Sequence, residues 1–292
     1  MDKKTVTITI DYDLWKEARE EELNMSEFFN ECLGEYLKKS KKRKLKAIII
    51  AAGMSSRLME LTDDKPKCML EINGKTILQR QIETFHKCGI DDITVIRGYK
   101  KGKINYTGVK YAYNKNYRRN NILESLMYAE SEMDGEFIAS YSDILYEKEV
   151  VDKLLRSKAD ISLIVDTDWI GQYKDRFQHP IKEAEKVVVK DNNITKLGKS
   201  INVNEAYGEF IGLARFTKKG AEILKKEYKR VKKQIGSNSP FHEALSLEKA
   251  YLTDMVQELI DKGYAVKNVD IKGKWMEIDT IEDFQEAERV TK

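Results

Sequence analysis

The first forty or so residues and the rest of the chain carry different hydrophobic periods. Thr5-Val6-Thr7-Ile8-Thr9-Ile10 alternates polar and β-branched apolar residues at period two, the pattern of a half-buried strand. From about Asp13 to Glu22 the spacing turns helical, with Leu14, Trp15 and Ala18 on the apolar side. Ser26 is the expected N-cap of a second helix, Glu27–Lys38, whose apolar residues include Phe28, Phe29, Leu33 and Leu37. From Leu45 onward strands alternate with helices. Leu45–Ala51 is an apolar run, Thr76–Cys88 an amphipathic helix closing at Gly89, and Ile93–Arg97 a second strand. A helix near Asn121–Glu132 precedes strand Glu136–Tyr141, and helix Glu147–Arg156 leads to strand Ile161–Thr167. Between Lys186 and Phe216 the chain reads as hairpin material with Asp191-Asn192-Asn193 as a turn. Helices then dominate until strand Tyr264–Ile271, and Thr280 with Asp283 begins a final helix. Alternation of this kind predicts an α/β fold, a Rossmann-like, mostly parallel sheet with helices on both faces and ligands at the strands' carboxyl ends. The expected domains are therefore 1–44, a small β-α-α unit, and 45–292.

Composition narrows this picture only a little. With 35% charged residues but a net charge of +3, the chain is expected to be soluble and nearly balanced. No apolar run approaches the ~18 residues that span a bilayer, and the N-terminus lacks a signal-peptide layout, so a cytoplasmic location is expected. Cys32, Cys68 and Cys88 form no CxxC pair, and His86, His179 and His242 show no metal spacing, which argues against a zinc site.

The N-terminal strand, helix, Leu23-Asn24-Met25 turn and helix together resemble the ribbon-helix-helix family. The resemblance implies that two chains pair their strands into a homodimer and that Thr5, Thr7 and Thr9 form the DNA-reading face. So short a unit has too little core to stand alone, which points to dimerisation independently. The run Lys38-Lys39-Ser40-Lys41-Lys42-Arg43-Lys44 is either a phosphate-holding patch or a charged linker, so DNA binding and dimerisation alone both stand.

Ala51-Ala52-Gly53-Met54-Ser55-Ser56-Arg57-Leu58 follows the first buried strand directly. It is neither a P-loop nor a dinucleotide fingerprint. Its small residues let backbone N–H groups approach phosphate oxygens, Arg57 adds a charged fork, and Lys67 in Lys65-Pro66-Lys67 adds a second cation. Two cations converging on a triphosphate suit the departure of pyrophosphate. This strand-AAG-x-x-S-R-L segment, then PK and a helix, resembles the nucleoside-triphosphate transferases that make nucleotide sugars and CDP-choline, with Ser55 where glycine is usual.

That resemblance implies the nucleotide-diphospho-sugar transferase fold and a set of roles. Ala52, Gly53, Met54, Ser55 and Ser56 would bind the nucleotide phosphates, with Arg57 and Lys67 catalytic. Asp143 in Tyr141-Ser142-Asp143 and Asp279, with Glu277 beside it, would hold Mg²⁺. Asn121 and Ser125, in N-x-x-x-S-L spacing, resemble the base contacts of the cytidylyltransferase branch and point to CTP. Glu185 and Lys186 resemble the Glu-Lys pair that meets the acceptor. The stretches around Asp143, Asp168 and Glu209 resemble phosphonate cytidylyltransferases. Trp169, Tyr173 and Trp275 would enclose an acceptor amine, with Glu209 or Asp168 as its counter-charge. The expected reaction is in-line attack of an already ionised acceptor oxygen, such as that of 2-aminoethylphosphonate, on the α-phosphorus of CTP, without a general base. Phosphocholine, inositol phosphate or a sugar 1-phosphate are alternative acceptors, and a nucleotide-sensing DNA-binding regulator is the alternative of another class.

Overall fold

A computed structural model describes residues 4–40, 45–54, 56–174 and 176–291, and the chain divides into two compact units, Met1–Arg43 and Lys44–Lys292. In the first unit, helix α1 (Tyr12–Glu20) is capped by Asp11, whose carboxylate accepts from Asp13 N at 3.0 Å. Helix α2 (Met25–Ser40) starts before the expected cap: Asn24 Oδ1 accepts from Glu27 N at 3.3 Å, and Ser26 lies inside the first turn. No strand is assigned over residues 4–10. A strand exists only against a hydrogen-bonded neighbour, and the described residues of one chain supply none. Val6, Ile8, Leu14 and Leu33 are exposed in consequence.

The second unit is built on a mixed sheet of nine strands. Strand β1 (Lys46–Ala51) is buried from Ala47 onward, which is why it reads as a continuous apolar run. After β1 come the two-residue strands β2 (Glu71–Ile72) and β3 (Lys75–Thr76), which pair with each other, and helix α3 (Ile77–Lys87), capped by Thr76. Strands β4 (Asp92–Arg97) and β5 (Lys110–Tyr113) extend one side of β1 in parallel. Helix α4 (Ile122–Met127) is shorter than the expected Asn121–Glu132, because i+3 hydrogen bonds of Tyr128 and Ala129 tighten its end. Strand β6 (Phe137–Tyr141) lies parallel to β1 on its other side, followed by β7 (Ile144–Tyr146) and helix α5 (Lys148–Arg156). Strand β8 (Ile161–Asp166), the hairpin β9 (Lys186–Lys190) and β10 (Asn193–Gly198), and the long β11 (Gly208–Phe216) complete the middle of the sheet. β11 runs antiparallel to β6, β8 and β9, and β9 and β10 are antiparallel to each other, so the sheet is mixed. Helices α6 (Lys218–Ile235) and α7 (Leu252–Asp261), strand β12 (Lys267–Ile271) parallel to β8, strand β13 (Trp275–Glu277) and helix α8 (Ile281–Val290) close the chain.

Two features position the site. β13 leaves the main sheet and pairs antiparallel with β7, matching Glu277 to Ile144, and Ile278 N donates to Asp143 O at 2.8 Å. This pairing brings Asp279 beside Asp143 from the far end of the sequence. Secondly, β11 shifts register between Phe210 and Ala214, where Gly212 adopts φ +87°. A Cβ there would lie 2.5 Å from the Tyr141 ring, so only glycine lets that ring pack across the strand. No helix among the described residues is long and apolar enough to cross a membrane.

Candidate active site

The carboxyl ends of β1 and β6, the β7–β13 pair and the bend of β11 enclose a cavity of about 410 Å³. At one end lies the loop after β1. Gly53 and Met54 are exposed and line the cavity, while Ala52 is buried behind them and its carbonyl accepts from Tyr99 N at 3.1 Å. Ser55 lies outside the described residues, and Ser56 opens a 3₁₀ turn, Ser56–Thr62. Arg57 reaches across to form an ion pair with Asp279.

Lys67 is the buried hub. Its Nζ contacts Asp143 Oδ2 at 2.8 Å and Asp279 Oδ1 at 2.7 Å. Burial pulls the Lys67 pKa down, but Asp143 and Asp279 outweigh it and raise it above the ordinary lysine value. Burial likewise opposes ionisation of Asp279, and Lys67 and Arg57 nonetheless hold its carboxyl below the usual range. Asp143 Oδ1 is buried and without a hydrogen-bond partner. Glu277 completes the acidic group, its carboxyl raised by burial. Hard oxygen donors in this number fit a divalent cation such as Mg²⁺, and Asp143 Oδ1 is already free to receive one.

One histidine missed by spacing stands in this group. His179 is buried, with Nε2 at 3.5 Å from Glu277 and Nδ1 at 3.6 Å from Asp279. Ligand atoms of His179, Glu277 and Asp279 lie within 4.8 Å of one another. His179 is held by Arg176, whose Nε donates to Asp283 Oδ1 at 2.7 Å, and Asp283 caps α8 by accepting from Thr280 N at 2.9 Å. The signal for His179 is tertiary, since no sequence spacing connects it to Glu277.

Asn121, expected at the nucleobase, lies N-terminal to α4, donates to Lys249 O at 3.1 Å and lines the cavity. Ser125 is buried with its Oγ accepting from Asn114 Nδ2 at 2.8 Å, and Asn114 also pairs with Asn120. Asn114, Asn120, Asn121 and Ser125 thus form a polar patch fixed by hydrogen bonds, of which Asn120, Asn121 and Ser125 line the cavity.

Two more buried carboxyls, Glu185 and Glu209, line the cavity. Glu185 accepts from Tyr141 OH at 3.2 Å, and burial pushes its carboxyl up to about 8. Glu209 accepts from Tyr173 OH through Oε1, its Oε2 has no hydrogen-bond partner, and burial pushes it too up to about 8. Lys186, Trp169, Tyr173 and Asp168, all expected at the acceptor, do not line the cavity. Lys186 is 1% exposed and does not line the cavity; its Nζ donates to Ala184 O at 3.0 Å and Lys182 O at 3.4 Å. Trp169 is buried in a small cluster with Tyr173 and Ala184, behind the cavity wall, and Asp168 lines no part of the cavity. Trp275 does face the cavity, its Nε1 donating to Asp166 Oδ2 at 2.7 Å. Besides Lys67, Lys199 and Lys249 line the cavity, with Glu183 and Tyr251 also in its lining, and none of these four is assigned a role from sequence.

Residues 47–188 match the model of the MobA-like NTP transferase domain, and residues 3–49 match that of the post-segregation antitoxin CcdA. The chain is 32% identical over 253 residues to a CTP:phosphoglutamine cytidylyltransferase of Campylobacter jejuni, covering 82% of this chain and 98% of that protein. Its fold is similar to the CTP:phosphocholine cytidylyltransferase of Streptococcus pneumoniae, with TM-score 0.63 and 22% identity over 85% of this chain and 99% of that one. It is also similar to the inositol-1-phosphate CTP transferase of T. maritima, with TM-score 0.64 and 22% identity over 84% and 96% of the two chains.

Proposed function

Because the chain belongs to the nucleoside-triphosphate transferase family, with a MobA-like domain, and is a nucleotidyltransferase, we propose that it transfers CMP from CTP to a small amine-bearing phosphonate or phosphate monoester. The observation that carries this reading is the cavity's polarity. Arg57 and Lys67 stand paired with Asp143 and Asp279 as a group suited to a metal-bound triphosphate, and the buried carboxyls Glu185 and Glu209 line the same cavity.

An acceptor phosphoryl oxygen, ionised near neutral pH, attacks the α-phosphorus of CTP. The new P–O bond forms as the bond to the β-phosphate oxygen breaks, and pyrophosphate leaves with that electron pair. Arg57 and Lys67 neutralise the charge that gathers on the leaving group. The residues that would hold Mg²⁺ are Asp143 and Asp279, with Glu277 beside them, and the ion supplies charge neutralisation and alignment of phosphoryl oxygens. Asn121 and Ser125 orient the cytosine edge, and the Gly53 loop lets backbone donors approach the phosphates. Glu209 Oε2 lacks a hydrogen-bond partner, which favours an acceptor with N–H donors over a trimethylammonium. The burial of Trp169 outside the cavity weakens the aromatic enclosure that a quaternary amine would use.

The test is pyrophosphate release from each of four NTPs against 2-aminoethylphosphonate, phosphoethanolamine, phosphocholine and a sugar 1-phosphate, with and without EDTA. CTP with an amine-bearing acceptor should lead, and EDTA should abolish turnover. In Lys67→Ala and Asp143→Ala, kcat should fall by about 10²-fold or more. Unchanged pyrophosphate release in both variants sinks the proposal.

The N-terminal unit supports a second role. Its exposed apolar residues Val6, Ile8, Phe28 and Leu33 favour pairing with a second copy of the chain, in keeping with the antitoxin-like match. DNA contact through Thr5, Thr7 and Thr9 remains a separate proposal, tested by a gel shift with and without residues 1–44.

A further inference from the structure

Lys199 follows β10 and is placed by a frame of hydrogen bonds that the proposed transfer step does not use. Glu243 accepts from Lys199 N at 2.7 Å and from Ser200 N at 3.0 Å. Gly198 makes this approach feasible, since a Cβ there would lie 2.4 Å from a Glu243 carboxylate oxygen. Glu243 N in turn donates to Asp254 Oδ1 at 3.0 Å, and Asp254 Oδ2 accepts from Tyr251 N at 2.7 Å. One network therefore fixes both Lys199 and Tyr251, whose ring centroid lies 4.6 Å from Lys199 Nζ.

The ammonium carries three donors. Its side-chain hydrogen bond among the described residues is a long one, to Glu183 Oε2 at 3.3 Å, which leaves donors facing the cavity. Burial lowers the Lys199 pKa, but Glu185, Tyr251 and Glu183 outweigh it, so the side chain stays charged. The charges near Lys199 are Glu185 and Glu183, whereas those around Lys67 are Asp143 and Asp279. Glu183, which accepts from Lys199 Nζ at 3.3 Å, also feels the charge of Arg57. Lys199 thus stands in the cavity wall beside Glu183 and the Tyr251 ring, in the same lining as Glu185 and Glu209.

A cation and two buried carboxyls in one wall recognise opposite charges on one molecule. We propose that Lys199 binds a carboxylate on the acceptor's tail while Glu185 and Glu209 bind its ammonium, so that the acceptor is a phosphoryl compound with a zwitterionic, amino-acid-like tail. This rests on the acceptor reading above and deepens it.

The experiment measures pyrophosphate release from CTP with three acceptors sharing a phosphate ester. They are O-phosphoserine (ammonium and carboxylate), phosphoethanolamine (ammonium alone) and phosphocholine (neither N–H donor nor carboxylate). The wild type should favour O-phosphoserine over phosphoethanolamine by about 10-fold in kcat/KM, the scale of one charge-assisted hydrogen bond. Lys199→Met should collapse that ratio to about 1 through the KM for O-phosphoserine, and Lys199→Arg should restore part of it. Thermal melts of both variants confirm folding. An equal loss on all three acceptors would place Lys199 on the phosphoryl group and overturn the inference, as would a wild type that ignores the carboxylate. Turnover with none of the three, while CTP still raises the melting temperature, removes the acceptor reading itself and this inference with it.

Discussion

Glu209 holds its two oxygens in unlike surroundings: Oε1 accepts from Tyr173, while Oε2 is buried without a partner. Burial pushes its carboxyl and that of Glu185 up to about 8, so both are largely neutral in the free enzyme at pH 7. An ammonium binds the ionised form. The kcat/KM for phosphoethanolamine should therefore climb as pH rises from 6 to about 8 and level off above it, because kcat/KM reports free-enzyme ionisation. Glu209→Gln should raise the KM for that acceptor about 10-fold or more, with the KM for CTP little changed, and flatten the climb. A profile that is flat in the wild type would remove both carboxyls from acceptor binding. Folding carries the opposite sign. Between the ordinary glutamate value of 4.5 and about 8 the folded state holds a proton the unfolded chain has lost. This contribution therefore falls as pH rises through that window and is constant above it. At this scale the sequence was legible where chemistry is local, as at Arg57 and Lys67. It misled where neighbours in sequence point to opposite faces: Glu185 lines the cavity and Lys186, one residue on, is turned away to carbonyls.

Elements carry these residues to their places, and their existence was more legible than their pairing. The alternation of apolar runs with amphipathic helices marks β1, α3, β6, α5 and β8 within a residue or two of their ends. Thr280 and Asp283 form the capping box their spacing announces. What spacing does not reveal is that β13 pairs with β7, or that β11 reverses direction against β6 and shifts register at Gly212. Both are long-range choices decided by packing. Gly212 tests the second. Alanine there meets φ +87° and a Cβ 2.5 Å from the Tyr141 ring, so the ring or the strand must move. Gly212→Ala should destabilise by about 1–3 kcal/mol, read as a drop in melting temperature of several degrees. Displacing Tyr141 also breaks its hydrogen bond to Glu185, so the acceptor KM should rise more than the CTP KM. Equal changes in both would mean that the strand's bend serves the fold alone.

At the scale of the molecule, two units of very different size share one chain, Met1–Arg43 and Lys44–Lys292. The larger has extensive buried cores, with Ile48, Phe85, Phe137 and Phe216 fully enclosed. Among the described residues the smaller has two helices, with no residue of α1 buried, and a segment whose period-two pattern finds no strand partner. Val6 at 75% and Ile8 at 51% exposure would be costly to leave in water on a strand-forming segment. A second chain supplying the same segment would pair the backbone and cover those side chains at once, closing as an isologous dimer. Val6→Lys with Ile8→Lys puts like charges at the centre of that ribbon and should shift the full-length protein from dimer to monomer in light scattering. The transferase cavity is lined wholly by residues of the larger unit, so pyrophosphate release per chain should be retained. A dimer that survives both substitutions would place its contact on the larger unit instead. A monomer that loses turnover as well would mean that pairing of the small units acts on the catalytic cavity, which its lining residues alone do not require.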